Sequence, residues 1–350
     1  MRHFAVLVIL LSLLSCGEKD RQNGVKEHFT TEVMLRTTPI KDQGKSSFCW
    51  IYAMLATIET ERLMQGDSIN LSPAYVARMF LREQTKRRYV TRGKEEITSR
   101  GVCTMLPQLL ARHGAMPFDS YRAKDDIDYN ALSRRLSRTA DAYRAQNRGL
   151  EELQADTDRM LDETIGPSPH SVFMYSCTYT PVEFARSICQ NNEYIALTSF
   201  SHHPFGKSFV LELADNLYMD AFLNVPVSTL LTVIENAILS GHPVCWEGDV
   251  SESGFSFERG VAVWDENAPA PTQENRQQAF EKFHTTDDHC MALIGIALDR
   301  NGKKYFICKN SWGTNNPYRG LMYMSFDYAK MKTIAIMIPQ KAYNLPYPIG

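Results

Sequence analysis

Residues 41–52 read KDQGKSSFCWIY: a glutamine, a run of small polar residues and a Cys-Trp pair stand directly ahead of a long apolar-periodic stretch. A buried structural cysteine needs no such approach, but a nucleophilic one does. From Cys49 to about Met64 the apolar residues recur at helical spacing and stop before Gly66-Asp67, so Cys49 is expected in a first helical turn. Unpaired backbone N–H groups and the helix dipole there favour a thiolate over a thiol. Attack on a carbonyl also needs an imidazole to hold the proton, a group to orient that imidazole, and donors for the oxyanion. His289 opens a strand-like run in DDHCMALIGIAL, 240 residues after Cys49, and Asn310 follows the next such run in KNSWG. The amide oxygen of Asn310 can accept the ring N–H of His289. Gln43, six residues before the cysteine, can donate to the oxyanion beside the Cys49 N–H. Trp312 is expected to shield the His289–Asn310 bond from water. Asp287 and Asp288 read as solvated loop charges, with Asp288 at the cleft edge.

The elements that must position these groups change in texture along the chain. Helices are expected over 49–64, 72–85 (with Pro73 at the first helical position), 105–113, 180–189 and 227–239. Residues 128–163, rich in Arg, Asp, Glu and Gln, predict one or two exposed helices elaborating the core, their charges forming a solvated face. After about residue 241 come short runs rich in β-branched and aromatic residues, such as PVCWEGDV and KYFICKNSW, punctuated by Arg300-Asn301-Gly302. Helices first and strands second predict an α+β fold whose two sub-domains face one another.

With 350 residues and 44% apolar composition, the chain can bury a full core. Its 38 basic and 40 acidic residues leave no nucleic-acid footprint. The eight cysteines match no CxxC or Cys/His metal spacing, and their scatter is unlike a disulfide framework, so no metal or cofactor is expected. Cys103, Cys177, Cys189, Cys245, Cys290 and Cys308 read as core. His202-His203 does not read as a metal pair, because adjacent residues on an extended segment face opposite ways. Residues 1–16 combine an Arg-containing start, an apolar stretch over 4–14 and Ser15-Cys16, as in a signal peptide. The LLSC ending resembles the bacterial lipoprotein box, which implies export, a lipid on Cys16 and a membrane anchor. Residues 17–30 are expected to form a polar tether.

Taken together, QGKSSFCW, HCMALIG and KNSWG resemble the papain-fold cysteine peptidases. The long Cys-to-His interval is similar to the bleomycin hydrolase/aminopeptidase C branch. So are LSPAYV (71–76), TYTPVEFARSI (178–188), YIALTSFSHHPFGKSF (194–209), FLNVPVSTL (222–230) and GHPVCWEGDV (241–250). The resemblance implies a papain-like peptidase domain over 31–350. A helical part would occupy about 31–240, with an insertion at about 122–170, and would face an antiparallel β-rich part at about 241–345 across the active-site cleft. It implies peptide substrates, a Cys49–His289–Asn310 mechanism with Gln43 at the oxyanion, and possible homo-oligomers. Ser47-Phe48 departs from the family's Gly-containing pair, so Phe48, with its neighbour Trp50, is expected to shape the cleft. In the family a C-terminal arm holds the substrate's free amine and makes the enzymes aminopeptidases; here KAYNLPYPIG is short. The family resemblance favours an aminopeptidase, whereas a C-terminus too short to enter the cleft favours an endopeptidase. An open-cleft endopeptidase and a silent binding protein on the same scaffold are the alternatives.

Overall fold

The structure, a computed structural model, describes residues 27–344 except 125 and 175. The expectations for residues 1–16 and for the C-terminal arm at 345–350 lie outside the described residues. The first half of the chain runs β1 (Thr30–Met34), α1 (Cys49–Met64), α2 (Pro73–Val90), α3 (Met105–His113), α4 (Tyr129–Ala145), α5 (Leu150–Thr164), β2 (Val172–Met174), β3 (Cys177–Tyr179) and α6 (Pro181–Ile188). Then follow β4 (Tyr194–Thr198), β5 (Ser208–Val210), β6 (Ala221–Asn224), α7 (Val227–Leu239), β7 (Val244–Gly248), β8 (Phe255–Ser256) and β9 (Val261–Ala262). The chain finishes with α8 (Gln273–Glu281), β10 (His289–Leu298), β11 (Lys304–Lys309), β12 (Leu321–Ser325), α9 (Phe326–Lys332) and β13 (Thr333–Pro339).

Local chemistry sets the helix starts. The Ser72 hydroxyl accepts the Tyr75 N–H with Pro73 at the first helical position, and Thr180 and Glu183 form a reciprocal capping box ahead of α6. α1 has no side-chain cap. Burial holds it instead: it packs on β10 and β7 with Trp50, Ile51, Met54 and Ile58 fully enclosed. The insertion helices α4 and α5 meet through Leu132, Leu136, Met160 and Leu161. Their charges do not form a purely solvated face. Asp162 reaches Arg78 at 2.7 Å, Asp158 reaches Arg82 at 2.7 Å and Asp141 reaches Arg88 at 2.7 Å, which docks the insertion on α2.

The large sheet runs β5-β6-β4-β13-β7-β10-β11-β12-β9-β8, with β1 added along β10. It is antiparallel except at β4–β6 and β12–β9. Two expected boundaries move. Strands β4 to β6 come from the supposed helical part, because β4 pairs with β13 (Leu197 opposite Ile336). The expected tether does not extend to residue 30: Phe29 stacks on Tyr323 with centroids 4.0 Å apart, and Thr30 already pairs with Leu298.

A buried ionic cluster ties the helix carrying Cys49 to the strand preceding Asn310. Glu59, fully buried on α1, accepts from Lys41 at 2.5 Å, from the Leu71 N–H at 2.6 Å and from the Thr38 hydroxyl. Its second oxygen lies 4.0 Å from Lys309 Nζ at the end of β11. Lys309 in turn donates to the Thr38 carbonyl at 2.8 Å and to its hydroxyl at 2.6 Å.

Candidate active site

Cys49 is the first residue of α1. The loop before it is held by its own bonds: the Ser46 hydroxyl donates to the Gln43 carbonyl at 2.7 Å, and the Gly44 N–H to Asp42 Oδ1 at 2.8 Å. Gly44 has φ +59°, a left-handed turn suited to glycine. The loop also pairs with the opposite sub-domain, the Gln43 N–H donating to the Ser311 carbonyl at 2.8 Å. A hydrogen bond from the Cys290 thiol holds the Cys49 thiol well below its ordinary value. Burial opposes that effect, and a hydrogen bond and positive charge from His289 add to it.

His289 opens β10, where pairing with Gly248 of β7 fixes its backbone. Its Nε2 lies 2.7 Å from Asn310 Oδ1. The same oxygen accepts the Ser311 N–H at 2.8 Å, so it is the amide oxygen, and His289 Nε2 carries the proton. That leaves Nδ1 free to act as a base. The Trp312 ring covers the imidazole with centroids 4.5 Å apart, and Phe255 and Phe257 meet the Trp312 ring edge-on at 5.7 and 5.5 Å. The side-chain oxygen of Gln43 accepts the Ser311 hydroxyl at 2.6 Å, and its amide nitrogen donates to the Ser46 carbonyl at 2.7 Å. One amide N–H remains. Cys49 is thus in reach of His289, His289 of Asn310, and Gln43 of Ser311, which brings these residues together where the two sub-domains meet.

The Peptidase C1-like family profile matches residues 171–344, the stretch carrying His289 and Asn310. Aminopeptidase W of Lactobacillus delbrueckii subsp. lactis is 20% identical, over 89% of this chain and 83% of the relative. Cysteine proteinase 1, mitochondrial, of Saccharomyces cerevisiae (strain JAY291) is 23% identical, over 89% of this chain and 76% of that protein. The crystal structure of PepW from Lactobacillus rhamnosis HN001 superposes with a TM-score of 0.71 at 17% identity, covering 90% of this chain and 83% of that one. The chain is a cysteine-type peptidase with a papain-like fold.

The peptidase departs from the sequence reading at several cleft positions. Phe48 and Trp50 do not line the cleft. Phe48 is 1% exposed and packs edge-on to Tyr129; Trp50 is fully buried, packs on Phe80 and donates to the Ser99 carbonyl at 3.1 Å. A helix turns about 100° per residue, so the neighbours of a cleft-facing residue turn into the core. The cavity beside Cys49, about 220 Å³, is lined instead by Ser47, Arg100, Asp215, Asp287, Asp288 and Cys290. Asp287 and Asp288 are therefore cleft groups and not bystanders in a solvated loop. Desolvation raises Asp288 to about 6. Asp287 is pushed well up by burial first and then by the Cys49 and Asp215 charges. Asp215 pairs with Arg100 at 2.8 Å.

Of the cysteines expected in the core, Cys177 is exposed on β3, while Cys103, Cys245 and Cys290 cluster behind the nucleophile. His202 and His203 also depart from expectation. They lie in a turn, and both rings reach Glu212, at 3.3 and 2.6 Å. The residues missed in the sequence divide by the signal they leave. Ser311 and Cys290 adjoin the recognised Asn310 and His289, whereas Arg100 and Asp215 come from patternless loops that only the fold joins.

Proposed function

We propose that this peptidase is exported and removes residues from the free N-terminus of peptides through Cys49, His289 and Asn310. The Cys49 sulfur attacks the substrate carbonyl, and His289 Nδ1 holds the thiol proton and then delivers it to the leaving amine. The carbonyl stays on sulfur as an acyl-enzyme, which water hydrolyses with His289 again taking a proton. Asn310 fixes the imidazole tautomer through the 2.7 Å bond, and this is the observation that carries the reading. The remaining N–H of Gln43 and the backbone N–H of Cys49 stabilise the oxyanion.

The preference for a free amine is supported by Asp215 and Asp288, which face the same pocket as Cys49 and can attract a substrate ammonium group. The names of the relatives, aminopeptidase W and aminopeptidase G, agree with it. Export and a lipid anchor at Cys16 rest on residues 1–16 alone, and a homo-oligomer rests on the family resemblance. Detergent partitioning of the full chain tests the anchor, and light scattering of the form lacking residues 1–16 tests assembly.

The decisive experiment digests a peptide library with blocked and unblocked termini, using the soluble form. Stepwise loss of single residues from unblocked peptides only is expected, and cleavage of blocked peptides defeats the aminopeptidase reading. Cys49→Ala is expected to abolish both turnover and labelling by an epoxide thiol-protease inhibitor. Turnover retained by that variant defeats the assignment of the nucleophile.

A further inference from the structure

Behind the nucleophile lies a set of side chains for which the hydrolytic mechanism has no use. Cys290 and Glu247 are directly paired residues on adjacent strands β10 and β7, so their side chains share one face of the sheet. Cys103 reaches the same spot from the loop before α3, its N–H donating to Glu247 Oε2 at 2.9 Å. The two sulfur atoms and a Glu247 oxygen all lie within 4.8 Å of one another. All three residues are at most 2% exposed. Glu247 Oε1 is buried with no hydrogen-bond partner among the described residues. An acceptor left in that condition costs roughly 1–3 kcal/mol unless something meets it.

We propose that Cys103, Cys290 and Glu247 form a binding site for one thiophilic divalent cation of the zinc type, through which such an ion switches the peptidase off. Zinc holds sulfur at about 2.3 Å and carboxylate oxygen at about 2.0–2.2 Å, so tetrahedral donors stand roughly 3.5–3.8 Å apart. Closing the observed triangle requires any two donors to approach by at most about 1.3 Å. Two sulfurs and one carboxylate select zinc or cadmium over magnesium or calcium. The Cys245 thiol, 3.0 Å from the Cys103 sulfur, can donate to it and steady a thiolate there. The way in is the catalytic cleft, where Cys290 lies beside Cys49 and the carboxylates of Asp215 and Asp288 gather cations. The fourth coordination position faces that cleft and takes a solvent molecule. Binding displaces to solvent the thiol proton of Cys290 and the carboxyl proton that burial favours on Glu247, while Cys103 enters as the thiolate that Cys245 steadies. It thereby removes the hydrogen bond that Cys290 gives Cys49 and sets a positive charge against the nucleophilic sulfur.

The second cluster of potential ligands, His202, His203 and Glu212, is less suited. The Gln277 amide is oriented by accepting the Ser201 N–H at 2.6 Å, and it donates to His202 Nδ1 at 2.9 Å. The proton of His202 is therefore on Nε2, the nitrogen that faces Glu212.

The test titrates Co2+ into the reduced Cys49→Ala chain and follows the thiolate-to-cobalt charge-transfer absorption. Saturation at one ion per chain is expected, with affinity lowered at least tenfold by Glu247→Gln and the absorption lost in Cys290→Ala. X-ray absorption of zinc-loaded Cys49→Ala should show two sulfur and two lighter neighbours, a readout that does not depend on the buried variants folding. In the active enzyme Zn2+ should inhibit, a chelator should restore turnover, and Glu247→Gln should raise the inhibitory concentration at least tenfold. Absence of the charge-transfer band in Cys49→Ala overturns the proposal, because the ion would then sit on the nucleophile itself. A Cys103–Cys245 disulfide that persists in the folded chain after treatment with reductant, a different sulfur count, or unchanged affinity in Glu247→Gln overturns it equally.

Discussion

Glu59→Gln is the substitution whose cost the structure defines best. It keeps the side chain's shape and removes one charge from a fully buried position. Lys41 and Lys309, with side chains 13% and 3% exposed, then lose their counter-charge. Breaking a buried pair from one side costs about 3–5 kcal/mol. The lower end applies here, because Lys309 keeps its bonds to Thr38 at 2.6 and 2.8 Å. The expected loss is therefore about 3 kcal/mol at neutral pH.

The pH dependence of that loss is a sharper test. Burial lowers Lys309 to about 8; Glu59 pulls it back up and Lys41 pushes it further down. Between about 8 and the ordinary lysine value near 10.4, the unfolded chain binds more protons than the folded one, so this lysine makes stability rise with pH. Without Glu59 the folded value drops further and the rise begins at lower pH. The cost of Glu59→Gln must then shrink as pH increases through about 8, because Lys309 becomes neutral in both proteins. Urea midpoints at about pH 6.5 and about pH 9.5, converted with measured m-values, supply the comparison. A cost below about 1 kcal/mol at the lower pH, or one that grows toward the higher pH, refutes the account of the cluster.

Gln43→Ala should lower kcat by about 100- to 1000-fold with the urea midpoint nearly unchanged, as expected for loss of an oxyanion donor. Ser311→Ala removes the 2.6 Å bond that orients the Gln43 amide. It should cost about fivefold in kcat and nothing further in a Gln43→Ala background, where steady-state kinetics of the double variant gives the coupling. Gly114→Ala should destabilise by at least about 2 kcal/mol by urea titration. At φ +88° an added Cβ would stand 2.3 Å from the Pro181 carbonyl carbon. Burial pushes Glu83 upward, but hydrogen bonds from His113 and Tyr218 and the Arg112 charge outweigh it and hold the carboxyl below its ordinary range. Its contribution is present above the usual carboxylate value and is lost as pH falls through the lower folded one. Glu83→Gln should accordingly flatten the decline in urea midpoint between about pH 6 and about pH 3.5.

The parts of this site that can be read from the sequence are those whose position follows from local pattern. Cys49 begins a helical periodicity, His289 begins an apolar strand, and Asn310 comes one residue after β11. The β10–β11 pairing (Ala292 opposite Lys309) brings Asn310 alongside the start of β10. A hairpin reading already implies as much. The failures share a different cause. Phe48 and Trp50 adjoin the nucleophile in sequence, yet helical rotation turns both away from it, so sequence adjacency was the wrong measure of cleft position. Strands β4 to β6 read with the helical half because β4's pairing with β13, some 140 residues later, through which β6 and β5 join the sheet, leaves no local trace. The cluster behind Cys49 shows the limit most clearly. A period of two places Cys245 and Glu247 on one face of β7, but only the register with β10 reveals that Glu247 stands opposite Cys290. Register depends on the whole sheet. An acidic residue in an apolar strand, two positions from a cysteine, is the local signal that it needed a partner from elsewhere, because an unpaired carboxylate in a closed core is too costly to stand alone.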